Sequence, residues 1–135
     1  MIRMVLVDTS VWINLFRNRS TAPTARLREL LDERRGFVVT PIIVQEILQG
    51  AADQREFVLL DAYFSTQQML IGDDALSTHR QAARLYFDCR RRGFTPRSSI
   101  DCLIAQIAVE HGVPLLHDDR DFDRIAEAAP KLKFA

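Results

Sequence analysis

The stretch Met4-Val5-Leu6-Val7-Asp8-Thr9-Ser10-Val11-Trp12 constrains the fold more than any other part of the chain. A short apolar run ends abruptly in a carboxylate, and small hydroxyl residues then lead into a helical pattern. A strand buried on both faces, with Asp8 at its carboxyl end, reads this way. Strands of that kind belong to parallel sheets, and open α/β sheets place their ligand sites at the carboxyl ends. The same stretch argues against a signal peptide or a membrane span, because Arg3 and Asp8 interrupt the apolar run. The cytoplasm is the expected location.

The remaining sequence continues the alternation. Strands are predicted over 3–8, 37–40, 68–71 and 115–117, with a further edge strand over 131–134. Helices are predicted over 10–17, from Thr21 or Ala22 to Arg35, and over 42–49, 53–64, 100–111 and 121–128. A long helix, capped by Asp73 or Asp74, reaches Arg92, and Ser98 or Ser99 caps the helix at 100–111. Strands alternating with helices predict an α/β, three-layer fold: a mostly parallel central sheet of four or five strands flanked by helices. At 135 residues the chain suits a single domain spanning 1–135.

Net charge is zero, so no global field announces nucleic acid. Acids neutralised locally by a metal remain compatible with a nuclease. Cys89 and Cys102 are too few and too dispersed for a disulfide framework or zinc site, and read as buried thiols.

Four acids stand out from the solvated majority. Asp8 ends an apolar strand, although an ordinary helix N-cap explains an Asp there equally well. Glu46 is the one charge in Pro41-Ile42-Ile43-Val44-Gln45-Glu46-Ile47-Leu48, beside Ile42 and Ile43 on the helical wheel. A salt bridge to an arginine is its plainer explanation. Asp101 shares a helix face with Ile104, Ala105 and Ala108, while the helix dipole alone also favours a carboxylate in a first turn. The cluster His117-Asp118-Asp119-Arg120-Asp121-Phe122-Asp123 leaves a strand end comparable to that of Asp8, and alternation selects Asp119 over Asp118. An acidic turn in solvent is the plainer explanation of that cluster. Carboxylates gathered in one pocket repel without a counter-ion. Hard oxygen ligands without His or Cys favour Mg²⁺ or Mn²⁺, which activates water and stabilises a leaving alkoxide.

With these residues in view, the chain resembles the PIN-domain ribonucleases, and specifically the VapC toxins of bacterial toxin–antitoxin pairs. The resemblance rests on Val7-Asp8-Thr9-Ser10-Val11-Trp12, on Thr40-Pro41 through Glu46, on Ser99-Ile100-Asp101, and on Asp119-Arg120-Asp121-Phe122. It implies metal-binding and catalytic roles for Asp8, Glu46, Asp101 and Asp119, an accessory metal-binding role for Asp121, and a supporting hydroxyl at Thr9 or Ser10. His117 stands where the family often has Thr or Ser, so that hydroxyl's role does not transfer; packing or a supporting contact is expected of the imidazole. The implied reaction is metal-dependent hydrolysis of RNA by in-line attack of water on phosphorus, leaving 5′-phosphate and 3′-hydroxyl ends. The implied partners are RNA, a VapB-type antitoxin and a second copy of the chain, with no membrane.

Arg91 and Arg97, close before the helix carrying Asp101, are candidate guides for an RNA backbone. Trp12, Phe16, Phe57, Tyr63 and Phe64 suit a core or an interface. The resemblance suggests that a groove lined by such aromatics receives the antitoxin's C-terminal segment. His79 and His111 read as structural. Competing readings are an RNA-processing PIN nuclease without antitoxin, a non-catalytic PIN binding module, and a phospho-receiver. A receiver requires paired acids after its first strand and a late lysine, whereas this chain has Asp8 alone there and lysine only at Lys131 and Lys133.

Overall fold

The computed structural model describes residues 4–33 and 36–135. The predicted strand start at Arg3 and helix end at Arg35 lie outside the described residues. The order is β1 (Val5–Val7), α1 (Thr9–Phe16), α2 (Ala22–Asp32), β2 (Phe37–Val38), α3 (Pro41–Gln49), α4 (Gln54–Phe64), α5 (Ala75–Arg91), α6 (Ser99–His111), β3 (Leu115–Leu116) and α7 (Asp121–Ala128).

The sheet runs β2-β1-β3 and is wholly parallel, Leu6 pairing with Val38 on one side and Leu115 on the other. The expected α/β architecture is present, but the sheet has three strands among the described residues, not four or five. The predicted strands at 68–71 and 131–134 shrink to single parallel bridges, Val39 to Met69 and Leu115 to Phe134. Each edge segment lies beside a strand only two residues long, so little ladder is available to extend it. Past Met69 the chain leaves the sheet: the Ile71 carbonyl is taken by His111 Nε2 at 2.7 Å.

Local chemistry starts each helix. Thr21 and Thr24 form a reciprocal capping box, while Thr40, Asp53, Asp74 and Ser98 each accept a first-turn N–H. Thus Asp74, not Asp73, and Ser98, not Ser99, are the caps. Gly112 ends α6 at φ 62°, a left-handed conformation that glycine adopts without a Cβ penalty.

Helices α1 to α4 pack in sequence-local pairs, α5, α6 and α7 pack on one another, and an α3–α6 contact joins the groups. Leu6, Val7, Val38, Leu115, Ile104 and Phe122 lie in one continuous core. Trp12 fastens α1 into it, edge-on to Phe37 at 5.3 Å and to Phe64 at 5.0 Å between ring centroids. Cys89 and Cys102 are buried free thiols, as expected. Among the described residues no helix is long and apolar enough to cross a membrane.

A candidate metal centre at the carboxyl edge of the sheet

Because the strands are parallel, their carboxyl ends share one edge. The chain leaves β1 at Asp8, β2 at Thr40 and β3 at His117, so the beginnings of α1 and α3 and the loop 117–120 meet there. Asp8 is buried at 4% exposure, and its N–H donates to the Leu116 carbonyl at 2.9 Å. Its Oδ2 caps α1, accepting from Ser10 N–H at 3.0 Å and Ser10 Oγ at 2.6 Å. Its Oδ1 is buried without a partner among the described residues. A buried oxygen left without a donor is costly, and it raises the question of what answers it. Burial pushes the Asp8 carboxyl upward, outweighing the Ser10 bonds.

Glu46, two turns into α3, meets a hydroxyl and not an arginine. Thr9 Oγ1 donates to Oε1 at 2.7 Å. Burial and then the charge of Asp8 raise its carboxyl despite that bond. Asp101, in the first turn of α6, makes no hydrogen bond among the described residues. Burial first, then repulsion from Asp8, Asp119, Glu46 and Asp121, push its carboxyl up to about 7. Four acids remote in sequence thus act on a fifth, and the tertiary fold brings all the predicted ligands into one electrostatic neighbourhood.

The loop after β3 separates adjacent aspartates into different tasks. Asp118 turns away from the cluster: its Oδ2 accepts from Asn14 Nδ2 at 2.8 Å and Thr21 Oγ1 at 2.7 Å, and its N–H donates to Ser10 Oγ. Asp118 therefore ties β3 to α1 and to the α2 cap. Asp119 and Asp121 are held by Arg97, whose Nη2 meets Asp119 Oδ1 at 2.7 Å and whose Nε meets Asp121 Oδ2 at 3.1 Å. Burial would raise the Asp121 carboxyl, but the backbone N–H, side chain and charge of Arg97 outweigh it and leave the group below its ordinary value. His117 packs between Phe122 and Phe134, and its Nδ1 accepts the Asp119 N–H at 3.2 Å. It packs and supports, as expected.

Two assignments change in the light of this geometry. Arg97 is not a free guide for RNA, because its guanidinium already spans two of the acids. Arg91 stays away from the cluster in the last turn of α5, with its guanidinium 5.8 Å from the Phe87 ring centroid. The Thr9–Glu46 bond and the Arg97 bridge had no sequence signal, since both partners lie on different elements. Among the described residues no three acids are close enough to grip a metal together. The cluster is open, which suits Mg²⁺, a cation that keeps several waters and takes one or two carboxylates directly.

A PIN domain family model matches residues 5–128, so the chain belongs to the PIN domain family. Within that family its similarity runs to the VapC proteins. It is 40% identical over 124 residues to VapC ribonuclease Mb1587 of Mycobacterium bovis and to Ribonuclease VapC11 of Mycobacterium tuberculosis, covering 91% of this chain and 92% of each relative. To Ribonuclease VapC51 of Mycobacterium tuberculosis it is 31% identical over 121 residues, 90% of this chain and 84% of the relative. A chain of DNA-bound VapBC from Salmonella typhimurium matches the fold with a TM-score of 0.73 at 22% identity, covering 100% of this chain and 98% of that one. A chain of FitAB bound to an IR36 DNA fragment matches at 0.65 and 18% identity, covering 98% and 94%.

Proposed function

We propose that this chain is a divalent-metal-dependent endoribonuclease, the toxin of a toxin–antitoxin pair acting in the cytoplasm. The carrying observation is the convergence of Asp8, Glu46, Asp119 and Asp121 on Asp101, around an Asp8 oxygen that is buried without a donor. The names of the VapC relatives support ribonuclease activity. The donor set is all carboxylate oxygen, which fits Mg²⁺ or Mn²⁺. Asp8, Glu46, Asp101 and Asp119 would hold the cation, with Asp121 beside them. When bound, a divalent cation lowers the pKa of water and offsets charge on a phosphodiester undergoing displacement.

The chain's own residues prepare that site. Ser10 and Thr9 fix the orientations of Asp8 and Glu46. Asp101, poised near neutrality by its neighbours, is suited to accept a proton during hydrolysis. The walls of β1, β3 and α6 limit water around Asp8 and so strengthen every charge interaction there.

The VapBC and FitAB structures support a cognate antitoxin as partner. The surface suited to an amphipathic antitoxin segment lies over α1 and α4. There Phe16 and Tyr63 are each about two-fifths exposed and both touch the Trp12 ring. Trp12 and Phe64 themselves belong to the core. Arg91, with Arg84 and Arg90 around the half-exposed Phe87 ring, offers the phosphate contacts for RNA. The reading includes a homodimer, consistent with the exposed Ile71 and Leu76.

The direct test is incubation of the purified chain with mixed cellular RNA. Cleavage in Mg²⁺ or Mn²⁺, abolished by chelator and restored by added metal, is the expected result. A folded chain that cleaves nothing in either metal would sink the enzyme reading. Thr9→Val is a finer test, because it keeps the shape and removes the hydroxyl that holds Glu46. Mn²⁺ affinity should fall about tenfold, the scale of losing an outer partner of a metal ligand. Calorimetric titration measures it, and unchanged affinity would remove Thr9 from the site.

A further inference from the structure

A regularity runs through the acids of this cluster. Asp8 receives both its protein donors on Oδ2 and none on Oδ1. Glu46 receives Thr9 on Oε1 and none on Oε2. Asp119 takes Arg97 Nη2 and the Asp121 N–H on Oδ1, at 2.7 and 3.0 Å, and nothing on Oδ2. Asp121 takes the Arg97 Nε and N–H on Oδ2, both at 3.1 Å, and nothing on Oδ1. Among the described residues, one oxygen of each carboxylate is held by protein and the other is left over. Ligating carboxylates in metal sites are themselves hydrogen-bonded in this manner, which fixes their orientation.

For Asp8 and Glu46 the holding group is a neutral hydroxyl. For Asp119 and Asp121 it is a cation. Arg97 sits immediately before Ser98, the cap of α6, so its backbone position is tied to the helix that carries Asp101. Its flat fork reaches two carboxylates through two different nitrogens, which a lysine ammonium on a flexible stem reproduces poorly. The side chain is 73% exposed, so the two ion pairs contribute little to global stability. A bridge of that geometry with little stabilising value points to a role at the site itself.

The geometry points to Arg97 as a positioning residue that ties Asp119 and Asp121 to the start of α6, so that each keeps one oxygen available to the metal. This rests on the metal-dependent reading above and adds to it an outer partner supplied by the chain. The guanidinium touches the ligands and takes no part in the chemistry. A contrary effect must be beaten for the idea to hold, because removing a positive charge from an acidic cluster by itself favours a cation.

The test is Mn²⁺ binding to the metal-free full chain, read from the electron paramagnetic resonance signal of free Mn²⁺. Wild type, Arg97→Gln, Arg97→Lys, Arg91→Gln and Asp8→Asn are compared. Arg97→Gln should bind Mn²⁺ about tenfold more weakly, with a melting temperature in chelator close to wild type. Arg97→Lys should recover part of the loss, and Arg91→Gln should match wild type. Equal or tighter binding by Arg97→Gln overturns the inference, since the arginine would then be a spectator or a competitor. So does loss of binding that merely follows a lowered melting temperature and is not recovered by Lys. If wild type binds no Mn²⁺, or Asp8→Asn binds it as tightly, the metal reading itself falls and the inference with it. Weak binding by Asp8→Asn beside unchanged Arg97→Gln removes the role of Arg97 alone.

Discussion

Replacing Asp8 with Asn should reduce metal-dependent RNA cleavage by about a thousandfold while leaving the metal-free fold intact. A bound cation contributes several kcal/mol of charge stabilisation, and each 1.4 kcal/mol or so is a factor of ten in rate. The charged oxygen lost is the one that no protein group satisfies. The amide retains an acceptor for the Ser10 N–H, so the α1 cap survives. Burial already disfavours the Asp8 charge, so the neutral variant should melt in chelator at or above the wild-type temperature. Rate assays on folded protein and melting curves on the same samples separate the two effects. Full activity in Asp8→Asn, or inactivity accompanied by unfolding, would remove Asp8 from the role assigned to it.

Asp101→Asn should do two opposite things: lower cleavage about a hundredfold or more, for the same reason, and stabilise the metal-free chain at neutral and alkaline pH. The sign follows from linkage. Burial and the surrounding acids carry the folded Asp101 carboxyl from the ordinary 3.8 to about 7. Between those values the folded chain retains a proton that the unfolded chain has released. Stability from this group is therefore fully present below the unfolded value and lost as pH rises through the folded one. In chelator, the melting temperature of Asp101→Asn should match wild type near about pH 4 and exceed it by several degrees near about pH 8. Mg²⁺ should narrow the gap at the higher pH by stabilising wild type more than the variant. A gap that is constant with pH, or that widens toward acid, contradicts the placement of Asp101 among the other acids.

Much of this site was legible along the chain, and the reasons differ from residue to residue. Asp8 was visible because an apolar run of strand character ends on it. For Asp8 the choice between helix cap and metal ligand proves to be no choice: Oδ2 caps the helix while Oδ1 stands free. Asp119 could be chosen over Asp118 by alternation, and hydrogen bonds now show what Asp118 does instead. Glu46 was conspicuous as a lone charge on an apolar helix, yet its partner was hidden. Thr9 lies 37 positions away, and nothing in either segment encodes the approach. Arg97 invited a generic reading as a phosphate contact, because sequence shows the charge of an arginine and not where its guanidinium comes to rest.

The fold divides in the same way. Periodicity, capping residues and glycine stops are local, and they determined the helices and the parallel character of the sheet before any contact was known. Strand number was not local. Gln68–Ile71 and Lys131–Phe134 have strand composition, but whether they join a ladder depends on how much unpaired edge β2 and β3 present, and each presents two residues. What the sequence determined by itself was the set of acids and the elements that carry them. Tertiary structure alone decided which oxygen of each acid is held, which aspartate of an adjacent pair is spent on scaffolding, and that an arginine lies between two of the ligands. The physical reason is range. Propensity and pattern act over a few residues, whereas the burial and mutual repulsion that set the chemistry of Asp101 act through space, between segments that meet only when the sheet has formed.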